Sequence, residues 1–263
     1  MLPSLRTIDD ELEDVLDLLD EEDYVGALPI LARVTSFAPA NQVAWELWTI
    51  CHLETGRLER VLALVDEGLA RGLSSASMHL TKAAALRLLE RFDEAIDAAE
   101  AARALEPESP EAIHSLAATE VARGGHDVAL GLLQRATADW PGDDDIHFSL
   151  IQLATQLGRT SLVIESARDY LRYFEKDPEV LAMLGDAYVA EGAYRRADRA
   201  FRDAAHIEPD NVDYHVSVLM VALMSGDEAA FGSYLERLAS RDPDMARAVA
   251  QAAEATIARL REG

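Results

Sequence analysis

Apolar residues in this chain recur every three or four positions in short stretches, and the stretches come in pairs. Leu12, Val15, Leu16 and Leu19 mark the first stretch, with acidic residues on the opposite face. A stripe of that kind predicts an amphipathic α-helix with one side to bury. The punctuation recurs: most first stretches stop at a glycine and most second stretches at a proline. Glycine accepts the left-handed backbone that ends a helix, and proline lacks the N–H needed to continue one. The predicted unit is therefore a helical hairpin, repeated.

The punctuation keeps a fixed period of 34 residues. Five of the nine prolines share one phase, Pro39, Pro107, Pro141, Pro209 and Pro243, and Leu73 and Glu175 stand at the two vacant points. Gly56, Gly124, Gly158, Gly192 and Gly226 keep the same period. So do Ala27, Ala95, Ala129 and Ala197, and again Ala102, Ala136 and Ala204. Three residue types in one phase indicate a repeat array. The alanines are expected on the facing sides of the paired helices, where a small side chain lets the axes approach.

These residues resemble the tetratricopeptide repeat family. The match is fullest in LGDAYVAEGAYRRADRAFRDAAHIEP, where Leu184, Gly185, Tyr188, Ala197, Phe201, Ala204 and Pro209 fit and Leu181 replaces the family's tryptophan. Residues 76–109 and 110–143 fit in their second helices. Residues 42–75 depart at Val61, Gly68 and Leu73, and residues 144–177 at Val163, Tyr170 and Glu175. The end units are thinner: 8–41 keeps Tyr24, Ala27 and Pro39, and 212–245 keeps Gly226 and Pro243. The resemblance implies an all-α, right-handed superhelical solenoid of about seven antiparallel helix-turn-helix repeats (8–41, 42–75, 76–109, 110–143, 144–177, 178–211 and 212–245) in one domain, 1–263. A capping helix is expected at about 246–261, where Met245, Val249, Ala252 and Leu260 recur at helical spacing and Arg259 and Arg261 suit the C-terminal end.

Charge narrows the functional classes. The chain carries 48 acidic against 24 basic residues, a net charge of −24. Such a surface repels nucleic acid and anionic lipid. Ten of the acids fall in residues 1–23, against Arg6 alone. The single cysteine, Cys51, leaves no intrachain disulfide and reads as a small buried hydrophobe. The run VSVLMVALM is too short to span a bilayer, and the start of the sequence lacks a signal-peptide layout, so a cytoplasmic location is expected.

In the family, ligands lie along the first helix of each repeat. Carried across, that implies a partner-binding groove lined by Ile50, Leu80, Arg87, His114, Phe148, Gln152, Asp186, Val216 and Met220. Acids stand close by at Glu46, Glu111, Asp145, Glu179 and Asp213. An acidic-apolar groove suits a peptide or helix with apolar anchors and basic flanks. The basic clamp by which some members hold a C-terminal carboxylate is reduced to Arg87.

Arg168, Arg172, Arg195, Arg199 and Arg202 form a basic outer stripe on second helices. It reads either as a solvated face neutralised by Asp169, Asp198 and Asp203, or as a dock for an acidic surface such as the N-terminal helix of another copy, giving weak self-association. His79, His147 and His215 lie 68 residues apart, too far for one metal, at the position where the family has tryptophan, and are expected to pack. No phosphate loop, nucleophile motif or metal-ligand spacing occurs, so neither catalysis, cofactor nor metal is expected. The expected function is a non-catalytic protein-interaction scaffold or adaptor. The alternatives are a dedicated chaperone or assembly factor for one client, and a regulatory subunit of an enzyme.

Overall fold

A computed structural model describes residues 7–262, with side chains as far as Arg259. The roles expected of Leu260 and Arg261 lie outside the described side chains. Among the described residues the chain is fifteen α-helices and no strand. It forms two compact units, Met1–Ala136 and Thr137–Gly263. The first holds α1 (Ile8–Asp20), α2 (Tyr24–Phe37), α3 (Gln42–Glu54), α4 (Leu58–Ala70), α5 (Ala76–Leu88), α6 (Phe92–Leu105), α7 (Glu111–Ala122) and most of α8 (His126–Asp139). The second holds α9 (Asp144–Gln156), α10 (Thr160–Tyr173), α11 (Pro178–Ala190), α12 (Tyr194–Ile207), α13 (Val212–Met224), α14 (Glu228–Arg241) and α15 (Pro243–Glu262).

The turn inside each hairpin is the same seven times over. Gly56, Gly124, Gly158, Gly192 and Gly226 all have positive φ, from 63° to 88°. The two remaining points of that phase are Glu22 and Glu90, and both keep the left-handed backbone at φ 58°. A six-to-one hydrogen bond closes each first helix behind that residue: Asp23 N–H to Leu18 O, Arg57 to His52, Arg91 to Leu86, Gly125 to Glu120, Arg159 to Ala154, Ala193 to Tyr188 and Asp227 to Ala222, at 2.7–2.9 Å. Orphan carbonyls are thereby satisfied, and the chain reverses within a few residues.

Small residues set the approach between paired helices. Ala27, Ala95, Ala129, Ala197 and Ala204 are fully buried. At Gly185 a Cβ atom would come within 2.6 Å of the Phe201 ring, so α11 and α12 meet only because the side chain is absent there. In the divergent repeat at 42–75, Gly68 leaves the space that the Met78 methyl fills at the start of the next hairpin.

Hairpins without the expected proline end by other means. After α4, Gly72 turns left-handed at φ 81° and Leu73 N–H bonds Gly68 O at 3.0 Å. After α10, Phe174 is extended and its ring stacks on Tyr170 at 4.8 Å and edge-on to His147 at 5.4 Å. Pro243 departs from expectation in the other direction. It opens α15 instead of only ending α14, with Asp242 capping the N–H groups of Asp244 and Met245 at 3.0 and 2.9 Å.

Ring nitrogens at the family's tryptophan position pin successive hairpins. Trp45 Nε1 donates to Pro39 O at 3.1 Å, and His215 Nε2 donates to Pro209 O at 2.9 Å. His215 Nδ1 is then left to accept from the Tyr234 hydroxyl at 2.6 Å. His147, at the equivalent position, is buried with Nε2 making no hydrogen bond among the described residues. These histidines are packing residues. Cys51 is buried, and that burial pushes its thiol up to about 11.

Two stability experiments follow from this geometry. Glu90→Gly should stabilise the chain by about 1 kcal/mol, because a left-handed backbone strains every residue with a Cβ. Glu90→Ala, equally strained, should not, and denaturant midpoints of the pair separate conformation from charge. The second concerns His52, which is buried with Nδ1 making no hydrogen bond among the described residues. Burial first, then the charges of Arg57 and Arg60, hold its pKa below the ordinary value. As the pH falls, the unfolded chain therefore takes up that proton first, and stability intact above the ordinary histidine range is lost through it. His52→Leu should be neutral or stabilising at about pH 7.5, with an advantage that widens by about pH 5.5, near-neutral histidine titration being centred at about 6.5. Thermal midpoints at the two pH values check the direction.

Candidate binding surface

Successive first helices lie side by side within each unit: α3 against α5, α5 against α7, and α9 against α11. The helical period decides which residues remain on their outer faces. On α9, Ile146, Leu150, Ile151, Leu153 and Ala154 are buried, which leaves Phe148 half-buried and Gln152 exposed one turn apart. On α11, Leu184, Gly185, Ala187 and Tyr188 are buried and Asp186 is exposed. Asp186 is the equivalent of Gln152, one period of 34 residues on. Phe148, Gln152 and Asp186 thus occupy the exposed faces of two adjoining helices.

Asp186 makes no hydrogen bond or ion pair among the described residues, and its carboxyl is held above the usual carboxylate range because surrounding protein removes part of its hydration. No cation is near in sequence either. Helices α9, α11 and α13 carry Asp144, Asp145, Glu179, Asp186 and Asp213 and not one lysine or arginine.

The expected groove residues on α13 are placed differently. Val216, only 8% exposed, is core with Leu219, Val249 and Ala253, and Met220 packs on the rim of that cluster. The reason is α15, which packs on α13 and covers the face a ligand would use. In the first unit, Ile50, Leu80, Arg87 and His114 are half-buried. Leu80 packs against the Ala76–Ala102–Ala112 cluster, and His114 Nε2 is buried with no hydrogen bond among the described residues.

The outer stripe divides in two. Arg202 is engaged: its guanidinium pairs with Asp198 at 2.8 Å and lies 4.6 Å from the centre of the Tyr234 ring, locking α14 onto α12. Arg172 pairs with Asp169 at 2.9 Å. Arg168, Arg195 and Arg199 are exposed and make no ion pair among the described residues. Sequence spacing puts all five on second helices, but Arg202's aromatic partner comes from a hairpin 32 residues further on and leaves no local signal.

Among the described residues no group of three or more His, Cys, Asp or Glu could hold a metal ion, and no helix is long and apolar enough to cross a membrane.

Comparison with known proteins agrees with this architecture. The family model described as Tetratricopeptide repeat matches residues 115–179 and 182–246. No curated protein sequence matches. Among solved structures, the chain is similar to the C-terminal part of a TPR repeat-containing protein from Cytophaga hutchinsonii, with a TM-score of 0.68 at 10% identity, covering 88% of this chain and 95% of that one. It is also similar to Pseudomonas aeruginosa PilF, with a TM-score of 0.57 at 18% identity, covering 77% of this chain and 92% of that one. A third is YrrB, described as a TPR protein with an unusual peptide-binding site, with a TM-score of 0.53 at 15% identity and coverage of 71% and 97%. With seven left-handed hairpin turns on one 34-residue phase and buried alanines between the paired helices, the chain belongs to the tetratricopeptide repeat family.

Proposed function

We propose that the chain is a non-catalytic adaptor that captures a peptide or helix of a partner protein on the first helices of its second unit. The observation that carries this reading is Asp186: an unpaired, partly dehydrated carboxylate on α11, which packs against the helix that carries Phe148 and Gln152, neither helix holding a lysine or arginine. A carboxylate so placed weakens the fold at neutral pH and gains its counter-charge only from outside. A ligand with an apolar anchor against Phe148 and a lysine or arginine against Asp186 supplies both parts, while Asp145 and Glu179 extend the attraction along the flanks. The peptide-binding site described for YrrB supports the same class of ligand. The anionic surface elsewhere makes the partner a basic protein segment and not a nucleic acid.

Two measurements test this. Peptides with a leucine or aromatic anchor and arginine flanks, titrated against the full chain, should bind at least about tenfold more tightly than the same peptides with glutamate flanks, the worth of about 1.4 kcal/mol. Phe148→Glu with Asp186→Arg should remove that binding and leave helicity unchanged. Equal affinity for both peptide sets, or a variant that binds as the wild type does, would show that the first-helix face is not the site. The second measurement concerns stability. A carboxyl held above its unfolded value costs stability above the folded pKa, and the cost disappears as the pH falls from there to the unfolded value. Asp186→Asn should therefore raise the thermal midpoint at neutral pH, and the gain should shrink to nothing in acid.

A further inference from the structure

The second helices of the Thr137–Gly263 unit carry a surface that peptide capture leaves unused. Helices α10, α12 and α14 hold eight arginines, Arg168, Arg172, Arg195, Arg196, Arg199, Arg202, Arg237 and Arg241, against six acids, Glu165, Asp169, Asp198, Asp203, Glu228 and Glu236. In a chain of net charge −24, this set of helices is positive. The structural work of the stripe is done by Arg202 and Arg172. Arg168 occupies the position equivalent to Arg202, but Ile164 stands where Asp198 would be, and Arg168 makes no ion pair among the described residues, Glu165 included. Arg195 and Arg199 are one turn apart on α12, both exposed. An apolar pair lies at the end of the same helices: Tyr173, 61% exposed, and Ile207, 39% exposed, at equivalent positions of adjoining hairpins. The Lys176–Asp203 ion pair, at 3.0 Å, ties these two hairpins together beside them.

The complement to this surface is in the chain itself. Helix α1 has seven acids among its 13 residues and no basic residue. It buries Val15, with Leu12, Leu18 and Leu19 packed alongside. Its other side presents Asp9, Glu13, Asp17 and Asp20 with one apolar residue among them, Leu16, 51% exposed. Glu11 is already taken by Arg33 at 3.1 Å. An acidic stripe with one exposed leucine thus matches an arginine stripe with an exposed tyrosine and isoleucine, in both charge and apolar character.

We infer that α1 of one copy docks on the Arg168–Arg195–Arg199 face of a second copy. The net charge does not forbid this. At about 0.1 M salt, repulsion between remote parts of the two chains is screened beyond roughly 10 Å, whereas charges in direct contact are screened much less. The contact joins two different surfaces, so it is heterologous and builds chains or rings rather than a simple two-fold pair.

A charge exchange tests the contact in the full chain. Sedimentation of the wild type at about 0.1 M salt and up to about 100 µM chain should show mass rising with concentration and falling towards the monomer in high salt. Arg168→Glu with Arg195→Glu and Arg199→Glu should be monomeric, as should Glu13→Arg with Asp17→Arg and Asp20→Arg, each with unchanged helicity. An equimolar mixture of the two should associate, because each now carries the partner of the other's reversed surface. Arg168→Gln with Arg195→Gln and Arg199→Gln serves where reversal disturbs folding, and it should also lose association. A wild type that stays monomeric at all concentrations, a stripe variant that associates as the wild type does, or a mixture that remains monomeric overturns the inference. Peptide capture by Phe148 and Asp186 is a separate readout that none of these substitutions touches.

Discussion

Each hairpin in this protein depends on one backbone arrangement: a left-handed residue followed by an N–H that reaches back five residues to close the first helix. The bond satisfies a carbonyl that would otherwise be orphaned. It also fixes where the second helix starts, and so which of its residues face the first. Had the turn drifted by one position in any hairpin, the second helix would have rotated by about 100° and the alanines would no longer meet the facing helix. The seven turns are therefore the reason that Ala27, Ala95, Ala129 and Ala197 are all buried. That Glu22 and Glu90 accept the left-handed backbone shows the turn outweighing local preference, since its hydrogen bonds and the burial behind it offset the strain of a Cβ.

The features legible in the sequence are those written in single residues at fixed positions. Glycine and proline announce a backbone state by themselves, so the hairpins, their order and their family could be read without coordinates. What escaped that reading was compensation between residues. Gly68 departs from the family's alanine, and nothing nearby shows that the Met78 methyl fills the gap. The missing proline at Glu175 suggests a weak terminus, yet Phe174 closes it by packing its ring against Tyr170 and edge-on to His147. Such solutions need two side chains from different helices, and a period in the sequence carries no record of them.

The same limit applies to the candidate surfaces. Carrying family positions along the chain gives every first helix an equal share in the groove, whereas the last of them is covered by its neighbour. Val216 and Met220 occupy the register of Phe148 and Gln152, but α15 lies over them, and burial there is what a terminal repeat needs to hold its fold. On the second helices, five arginines look alike in sequence. Only the ring of Tyr234 and the presence or absence of an aspartate one turn back separate Arg202, which holds α14, from Arg168, which holds nothing.

In the second unit this sorting leaves two unspent charges of opposite sign on helices of opposite kind. First helices carry acids without lysine or arginine, among them the partly dehydrated and unpaired carboxylate of Asp186. Second helices carry arginines in excess of their acids, and among the described residues only Arg172 and Arg202 are held in ion pairs. An internal ion pair would have relieved both, and a helical hairpin offers little chance of one, because each helix turns its polar face away from its mate. The hairpin thus separates charge by construction: what faces the partner helix must be small and apolar, and what remains is divided between two sides. A chain built of such units can keep a basic ligand and an acidic one apart on the same few residues of length, and the strength of each contact can change without disturbing the alanine seam between them.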